Sequence, residues 1–260
     1  MARIYPLFSS SSGNATFVGT PQGGVLIDAG VSMRRLSAAF SRCGLEFSAV
    51  RAVMITHDHS DHVKGLKLLT KQYRIPVYGQ EQTLRNLIDS EQIAPTSDVF
   101  AISAPIQIAD MELTAFDTPH DTQQSCGYRI HTPDGRRCAV CTDLGMVTPA
   151  VSQGITGCDL VLLEANYDPD LLRNGRYPYP VRARISSDHG HLSNQACARQ
   201  AAELVAGGTT RILLGHLSQE NNTPALAEQT VAAALAGFRR DCDYLLSVAP
   251  VETDGRMVVF

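Results

Sequence analysis

Residues 55–66 read ITHDHSDHVKGL, which places three histidines and two aspartates within six consecutive positions. Protonated imidazoles repel one another at this spacing, and so do adjacent carboxylates. A bound cation removes both conflicts, because imidazole nitrogens and carboxylate oxygens are ligands that transition metals accept. The pattern His57-x-His59-x-Asp61-His62 therefore indicates a metal site.

The cluster holds too many ligands for one ion. One tight loop can turn its side chains towards a common point, but a single Zn²⁺ takes about four ligands. Two ions about 3.5–4 Å apart fit better, and each then needs ligands from elsewhere. Three candidates follow other strand-like segments: His120, Asp143 and His216. A carboxylate can bridge two metals, which suits Asp143, and the absence of cysteine favours open positions that hold water.

Strand-like and helix-like segments alternate along the chain, which predicts an α/β fold. The segment 47–56 is a buried strand that ends at the cluster, and the apolar spacing over 61–73 predicts one helix. Residues 166–190 are expected to form a long irregular excursion. The candidate ligands all fall just beyond strand ends, where α/β folds place their sites.

Composition narrows the class of protein. The formal net charge of −4 argues against a protein that coats nucleic acid unselectively, because that mode needs bulk positive charge.

Seven scattered cysteines and no signal-peptide pattern lead us to expect a reducing cytoplasm. The stretch CAVC at 138–141 is interpreted as two buried thiols rather than a redox pair. No apolar run approaches the ~20 residues that cross a bilayer, so we expect no membrane partner.

Further motifs flank the cluster: LIDAG contains Asp28, TPH contains His120, CTD contains Asp143 and LGHLS contains His216. With them the chain resembles the metallo-β-lactamase-fold hydrolases. The resemblance covers nearly the whole chain. It implies a four-layer αββα sandwich, with two mixed β-sheets and helices outside, in a single domain over residues 1–260.

The same resemblance implies a ligand set for two divalent metal ions. One ion is assigned to His57, His59 and His120, the other to Asp61, His62 and His216, and Asp143 lies between them. Asp28 orients the ligand loop in this interpretation. Zinc is the favoured metal, and manganese or iron are alternatives because a site of histidine and aspartate accepts all three.

Longer stretches resemble one branch of the superfamily, the YycJ/WalJ (VicX) type. They are SSSSGNATFV (9–18), HSDHVKGL (59–66), the segment 163–194 and GHLSQENNTPALA (215–227). Members of that branch are regarded as DNA-directed phosphodiesterases with exonuclease activity. The resemblance therefore implies a dinuclear phosphodiesterase that uses a metal-bridging hydroxide on DNA, either single-stranded or at its ends.

A basic segment supports phosphodiester cleavage independently. Four arginines and no acid lie between Leu171 and Ser187, interleaved with two tyrosines. Arginine binds phosphate and aromatic rings stack on exposed bases. The candidates for substrate contact are Tyr179, Arg182 and Arg184, and the alternative is a solvated loop.

Glu164 and His191 resemble a Glu and His pair of the tRNA 3′-processing nucleases of this superfamily. In the mechanism expected from this resemblance, His191, held by Glu164, protonates the departing sugar oxygen as general acid. Asp61, which lies in the histidine–aspartate cluster, is assigned to the catalytic residues together with Glu164 and His191. Ser193 is predicted to cap the following helix, whose exposed amides could bind a phosphate oxygen. The alternative for Glu164 and His191 is a purely structural hydrogen bond.

Two rival functions stay open at the level of sequence, because a fold does not fix a function. The first is a small-molecule hydrolase acting on a cyclic phosphodiester, thioester or lactone, for which the basic segment would be dispensable. The second is a regulatory metal-binding protein without hydrolytic activity.

Overall fold

Fourteen strands form two seven-stranded sheets in the computed structural model, which describes residues 1–260. The first sheet begins with β1 (Arg3–Ser10), β2 (Gly13–Thr20), β3 (Gly23–Ile27), β4 (Val50–Met54), β5 (Val77–Gly79) and β6 (Val99–Ala101). The second sheet contains β7 (Ile106–Ile108), β8 (Met111–Asp117), β9 (Cys126–His131), β10 (Arg137–Cys141), β11 (Leu160–Glu164), β12 (Arg211–Gly215) and β13 (Leu245–Val248). The last strand, β14 (Val258–Val259), returns to the first sheet and pairs with β1.

Both sheets are mixed. Strands β1 to β3 pair antiparallel and β3 to β6 pair parallel. In the second sheet β7 to β10 pair antiparallel and β10 to β13 pair parallel. Each sheet therefore has a parallel half, whose strands deliver their carboxyl ends to one edge.

Nine helices accompany the sheets. They are α1 (Met33–Arg42), α2 (Ser60–Val63), α3 (Leu66–Tyr73), α4 (Glu81–Asp89), α5 (Pro149–Ile155), α6 (Pro169–Asn174), α7 (Tyr179–Ile185), α8 (Asn194–Ala206) and α9 (Pro224–Ala234). None of these helices has the length and apolarity that crossing a membrane requires.

Three buried clusters hold the layers together. The cluster between the sheets joins Ile4 and Val25 of the first sheet to Tyr128 and Leu162 of the second. A second cluster packs α1, α3 and α4 on the outer face of the first sheet, and a third packs α5, α8 and α9 on the outer face of the second. The four-layer αββα sandwich is therefore confirmed.

The single helix predicted over 61–73 is wrong, because the chain breaks between α2 and α3. Gly65 lies at the break, and its N–H donates to the carbonyl of Ala29 at 2.8 Å. A Cβ on Gly65 would lie 2.3 Å from the carbonyl oxygen of Val31. The helix breaks at Gly65 because the backbone there lies in close contact with the loop after β3. The spacing of apolar residues does not reveal such a contact.

The prediction of an irregular excursion over 166–190 is also wrong, because this segment carries α6 and α7. They pack on a small cluster of their own, formed by Tyr167, Leu172 and Ile185. Asp168 caps α6, and each of the two helices has a proline in its first turn. Proline is well tolerated there because the first N–H groups of a helix have no partner within it.

All seven cysteines are free thiols. Cys138 faces the cluster between the sheets and Cys141 faces the outer cluster, so the CAVC thiols lie on opposite faces of β10. Burial raises the pKa of both thiols well above its ordinary value. They pack as small apolar side chains, whereas Cys242 is exposed.

Candidate metal centre

The candidate ligands converge at the edge where the parallel strands end. Asp28, Asp143 and His216 follow β3, β10 and β12, and each has a left-handed backbone with φ of 60°, 61° and 54°. This conformation is costly for residues other than glycine, and such strain concentrates at functional sites. The fold therefore holds three strained turns at one place.

The first group of ligand atoms belongs to His57, His59 and His120. One ring nitrogen of each lies within 4.8 Å of those of the other two. His59 Nδ1 and His120 Nε2 are 3.3 Å apart. Nitrogen ligands of a tetrahedral Zn²⁺ are separated by about 3.3 Å when each bond is about 2.0–2.1 Å, so the spacing fits one shared cation.

The second group consists of Asp61, His62 and His216, whose ligand atoms also lie within 4.8 Å of one another. Asp61 Oδ2 is 3.5 Å from His62 Nε2 and 3.7 Å from His216 Nε2.

Asp143 contacts a residue of each group. Its Oδ2 is 3.3 Å from His62 Nε2, and its Oδ1 is 3.7 Å from His120 Nε2. Each of the groups that the resemblance assigned to one ion therefore comes together in space, and this carboxylate lies against both. Ligand atoms of His57, His62 and Asp143 also lie within 4.8 Å of one another, so the two groups adjoin.

Hydrogen bonds behind the rings fix which nitrogen faces the centre. His62 Nδ1 donates to Asp28 Oδ2 at 2.7 Å, and His120 Nδ1 donates to the carbonyl of Gly190 at 3.0 Å. Thr56 donates its hydroxyl hydrogen to Asp28, so its oxygen is free to accept from His57 Nδ1 at 3.0 Å. Each ring therefore directs the lone pair of Nε2 inward, as a metal ligand must.

Three buried ligand atoms have no hydrogen-bond partner: His57 Nε2, His216 Nε2 and Asp143 Oδ2. Buried polar atoms without partners are uncommon and costly, so each one needs an explanation. Divalent cations on the two groups would engage all three, and the donor set of imidazoles and carboxylates suits zinc, manganese or iron.

The crowding of imidazoles and carboxylates shifts the pKa values of the candidate ligands. Burial favours the neutral form of Asp143, but the imidazoles of His216 and His62 outweigh it and hold the pKa of this carboxyl well below its usual range. Burial and the neighbouring His62 ring lower the pKa of His57 well below its usual value. Asp143 is thus ionised and His57 neutral, which are the forms that bind metal. For His62 and His216, burial is outweighed by the Asp143 carboxylate, which raises the pKa of both rings well above its usual value, so a cation would have to displace a proton from each.

Glu164, fully buried at the end of β11, connects two histidines. Its Oε1 accepts hydrogen bonds from His191 Nδ1 at 2.8 Å and from His216 Nδ1 at 3.0 Å. Its Oε2 accepts from the backbone N–H groups of Leu144 and Leu192. Burial disfavours protonated His191, but the Glu164 carboxylate outweighs it and raises the pKa of this imidazole. Glu164 therefore fixes the orientation of both imidazole rings, His191 and His216.

A cavity of about 400 Å³ opens over the centre. Among the predicted substrate-contact residues, only Arg184 lines it, and its guanidinium lies 3.2 Å from Asp121. Tyr179 and Arg182 line a neighbouring cavity instead. Ser193 caps α8 by accepting from the N–H of Ala196 and lies outside both cavities.

Sequence reasoning missed two polar residues at the centre. Asn14 Nδ2 lies 3.1 Å from His62 Nε2 and 3.4 Å from Asp61 Oδ2. Asp121 lies 3.2 Å from His120 Nε2. Asn14 lies in the stretch SSSSGNATFV and Asp121 directly follows the TPH motif, so both stand beside motifs that the sequence had already singled out.

Gly30 lets the loop after β3 lie directly against the loop of residues 57–62, which we call the metal loop. A Cβ on Gly30 would lie 1.6 Å from the carbonyl oxygen of Asp61. We expect Gly30→Ala to lower the free energy of unfolding by about 3 kcal/mol, the upper part of the range for overpacking, because neither backbone can yield. Urea denaturation measures this change. Gly237→Ala is the control, since no atom lies within 4 Å of its added Cβ, and an equal loss in both variants would contradict the argument.

Comparisons with known proteins agree with this fold. A model of the beta-lactamase superfamily domain matches residues 24–217. The chain is 35% identical over 231 residues to "Exodeoxyribonuclease YycJ" of Bacillus anthracis, covering 88% of this chain and 87% of the relative. It is 32% identical over 234 residues to "Exodeoxyribonuclease WalJ" of Streptococcus pneumoniae, with the same coverage. The crystal structure of the metallo-beta-lactamase fold protein YhfI from Bacillus subtilis superposes with a TM-score of 0.74 at 16% identity, covering 99% of this chain and 98% of that one.

Proposed function

Because the chain belongs to the metallo-β-lactamase superfamily, in the branch of YycJ and WalJ, we propose that it is a metal-dependent exodeoxyribonuclease. The observation that carries the proposal is the 35% identity over 88% of the chain to a protein named for that activity. The substrate is DNA, as a single strand or at an end. The free state of all seven cysteines supports a cytoplasmic location.

Two divalent ions, Zn²⁺ by preference and Mn²⁺ or Fe as alternatives, would be held by the two ligand groups with Asp143 between them. Such ions, when bound, supply Lewis-acid stabilisation of phosphoryl charge and a water of lowered pKa. Asp28, Thr56 and Glu164 keep the ligand rings in place through the hydrogen bonds behind them. These contacts preorganise the centre before substrate arrives.

His191 is the general acid in this proposal. Its Nδ1 is engaged by Glu164, and the ring lines the cavity over the metal centre. The Glu164 carboxylate raises the pKa of the ring and so favours its protonated form, and that proton passes to the departing sugar oxygen. Glu164 stabilises the charged ring and holds its orientation.

Arg184 is proposed to bind a phosphate of the substrate at the cavity. It is the one arginine or lysine among the cavity-lining residues, and Tyr177 lines the same space. Its side chain is largely exposed and pairs with the half-buried Asp121, so a phosphate can compete with that carboxylate for the guanidinium.

We expect Arg184→Ala to weaken binding of single-stranded DNA and to reduce its salt dependence. Loss of one phosphate contact lowers the slope of log Kd against log salt by about 0.7 for a single strand. Fluorescence anisotropy at several salt concentrations measures this slope. Arg34→Ala, an exposed arginine on α1, is the matched control, and an identical slope in all three proteins would refute the assignment.

The decisive experiment incubates metal-loaded protein with end-labelled single- and double-stranded DNA and RNA. We expect stepwise shortening of DNA from one end. Turnover of small chromogenic esters with no cleavage of any nucleic acid would instead favour the small-molecule hydrolase. A fully loaded protein that hydrolyses nothing would favour the regulatory metal-binding protein.

A further inference from the structure

A second cavity of about 560 Å³ lies beside the one over the metal centre. Residues of α6 and α7 line it, together with Tyr167 at its base. We call it the α6–α7 cavity. The two helices rest on their own small cluster of apolar side chains, apart from the cores that hold the sandwich together.

The lining of the α6–α7 cavity is chemically distinctive. Tyr179 extends from the first turn of α7 and is 74% exposed. Arg173 and Arg182 also line the cavity, and no acidic residue does. Arg173 forms an exposed ion pair with Asp170, which lies outside the lining. The surface thus offers an aromatic face beside two guanidinium groups.

Arg182 carries an unsatisfied donor. Its Nη1 donates to the carbonyl of Arg173, whereas its Nε is buried and has no hydrogen-bond partner. A buried guanidinium N–H without an acceptor is costly and indicates a missing anionic or carbonyl partner. Arg182 thus presents an unpaired N–H donor, for which an oxygen of a ligand would be the acceptor, one helical turn from the exposed Tyr179.

Helix α7 is the wall that the two cavities share. Val181, Arg184 and Ile185 line the cavity over the metal centre, whereas Tyr179, Arg182 and Ser186 line the α6–α7 cavity. A helix with its side chains is about 10–12 Å across. A ligand that crosses this wall must therefore be an extended chain with repeated charges, and it would meet arginine on both sides.

We propose that the α6–α7 cavity is a nucleotide subsite, which holds an unpaired base of a DNA strand on Tyr179 and its phosphate on Arg182. This inference rests on the proposed function, because the scissile phosphate of the same strand lies over the metal centre. An unpaired base presents its π-face to an aromatic ring, while a duplex conceals that face. The substrate is therefore a single strand, or a single-stranded end, long enough to pass over α7.

The test measures the affinity of metal-loaded protein for phosphorothioate oligothymidylates, whose backbone resists cleavage, from dinucleotide to octanucleotide. We expect the Kd of the wild-type protein to fall with length once the strand reaches past α7. Tyr179→Ala weakens binding of the octanucleotide by about 10-fold, a typical loss for one base–aromatic stack. Tyr179→Phe keeps the ring and the affinity. Tyr73→Ala, an exposed tyrosine on α3, is the matched control.

Three results overturn the subsite: no binding of any oligonucleotide, a Tyr179→Ala loss that is equal at every length, or an equal loss for a blunt duplex. Failure of the proposed function looks different. If the wild-type protein shows the expected length dependence but cleaves no DNA in the nuclease assay, the subsite stands and the exodeoxyribonuclease assignment falls.

Discussion

His59→Ala is expected to lower kcat/KM for DNA by about 10³-fold or more. Lewis-acid stabilisation by a metal ion is worth several kcal/mol, and each 1.36 kcal/mol is a factor of ten in rate. His59 is the suitable position because its ring is 37% exposed and its close contact is with another ligand, His120. The variant therefore loses a ligand without opening the core.

A second measurement separates metal loss from unfolding. Elemental analysis of the purified variant should find about one ion fewer per chain than in the wild-type protein. The urea midpoint of the metal-free variant should stay close to that of the metal-free wild type, because bound metal itself stabilises the fold. His189→Ala, an exposed histidine outside the ligand groups, is the control. Full activity in His59→Ala would remove the basis for a metal-dependent reaction at this centre.

His191→Ala is expected to show an effect that depends on the leaving group. On DNA the departing alkoxide needs a proton, and a general acid contributes about 10²–10⁴-fold. On bis(p-nitrophenyl) phosphate the departing phenolate is stable without one, so we expect a much smaller loss. Steady-state kinetics of the wild-type protein and the variant give the loss of kcat/KM on each substrate, and the ratio of the two losses tests the prediction.

Glu164→Gln provides the comparison for this prediction. Glu164 holds His216 as well as His191, so its replacement should lower activity on both substrates, by about 10–100-fold. If His191→Ala instead slows both substrates by the same factor, then His191 positions other groups and does not deliver the proton.

The ligand cluster was predictable from sequence because it is local. Within a single loop, spacing determines which side chains can converge, and the strand that precedes the loop could be recognised from its apolar run. His120 and His216 could be grouped with each other because strands of one sheet end at a common edge. The cluster follows β4 of the other sheet, so its meeting with them depends on how the two sheets stack. Their pairing into two groups came from the resemblance, since no spacing rule connects residues so distant in sequence.

Other features depend on which way a side chain points once the fold exists. Tyr177 and Tyr179 are two positions apart, yet they line different cavities, because Tyr177 lies in the loop before α7 whereas Tyr179 is the first residue of that helix. Asn14 contacts the metal loop only because β1 and β2 bring their turn to it. The hydrogen bonds of Glu164 to both His191 and His216, and the left-handed backbone at His216, likewise form only when the sheet is complete.

The distribution of thiols has a practical consequence for experiments on this protein. Six cysteines are partly or fully shielded, and Cys242 alone is exposed. Cys242 precedes β13, which runs parallel to β12, so it lies at the amino ends of these strands, opposite the edge that carries His216. A maleimide fluorophore attached to Cys242 would report on the binding of a DNA strand in single-molecule experiments without obstructing the path of the substrate.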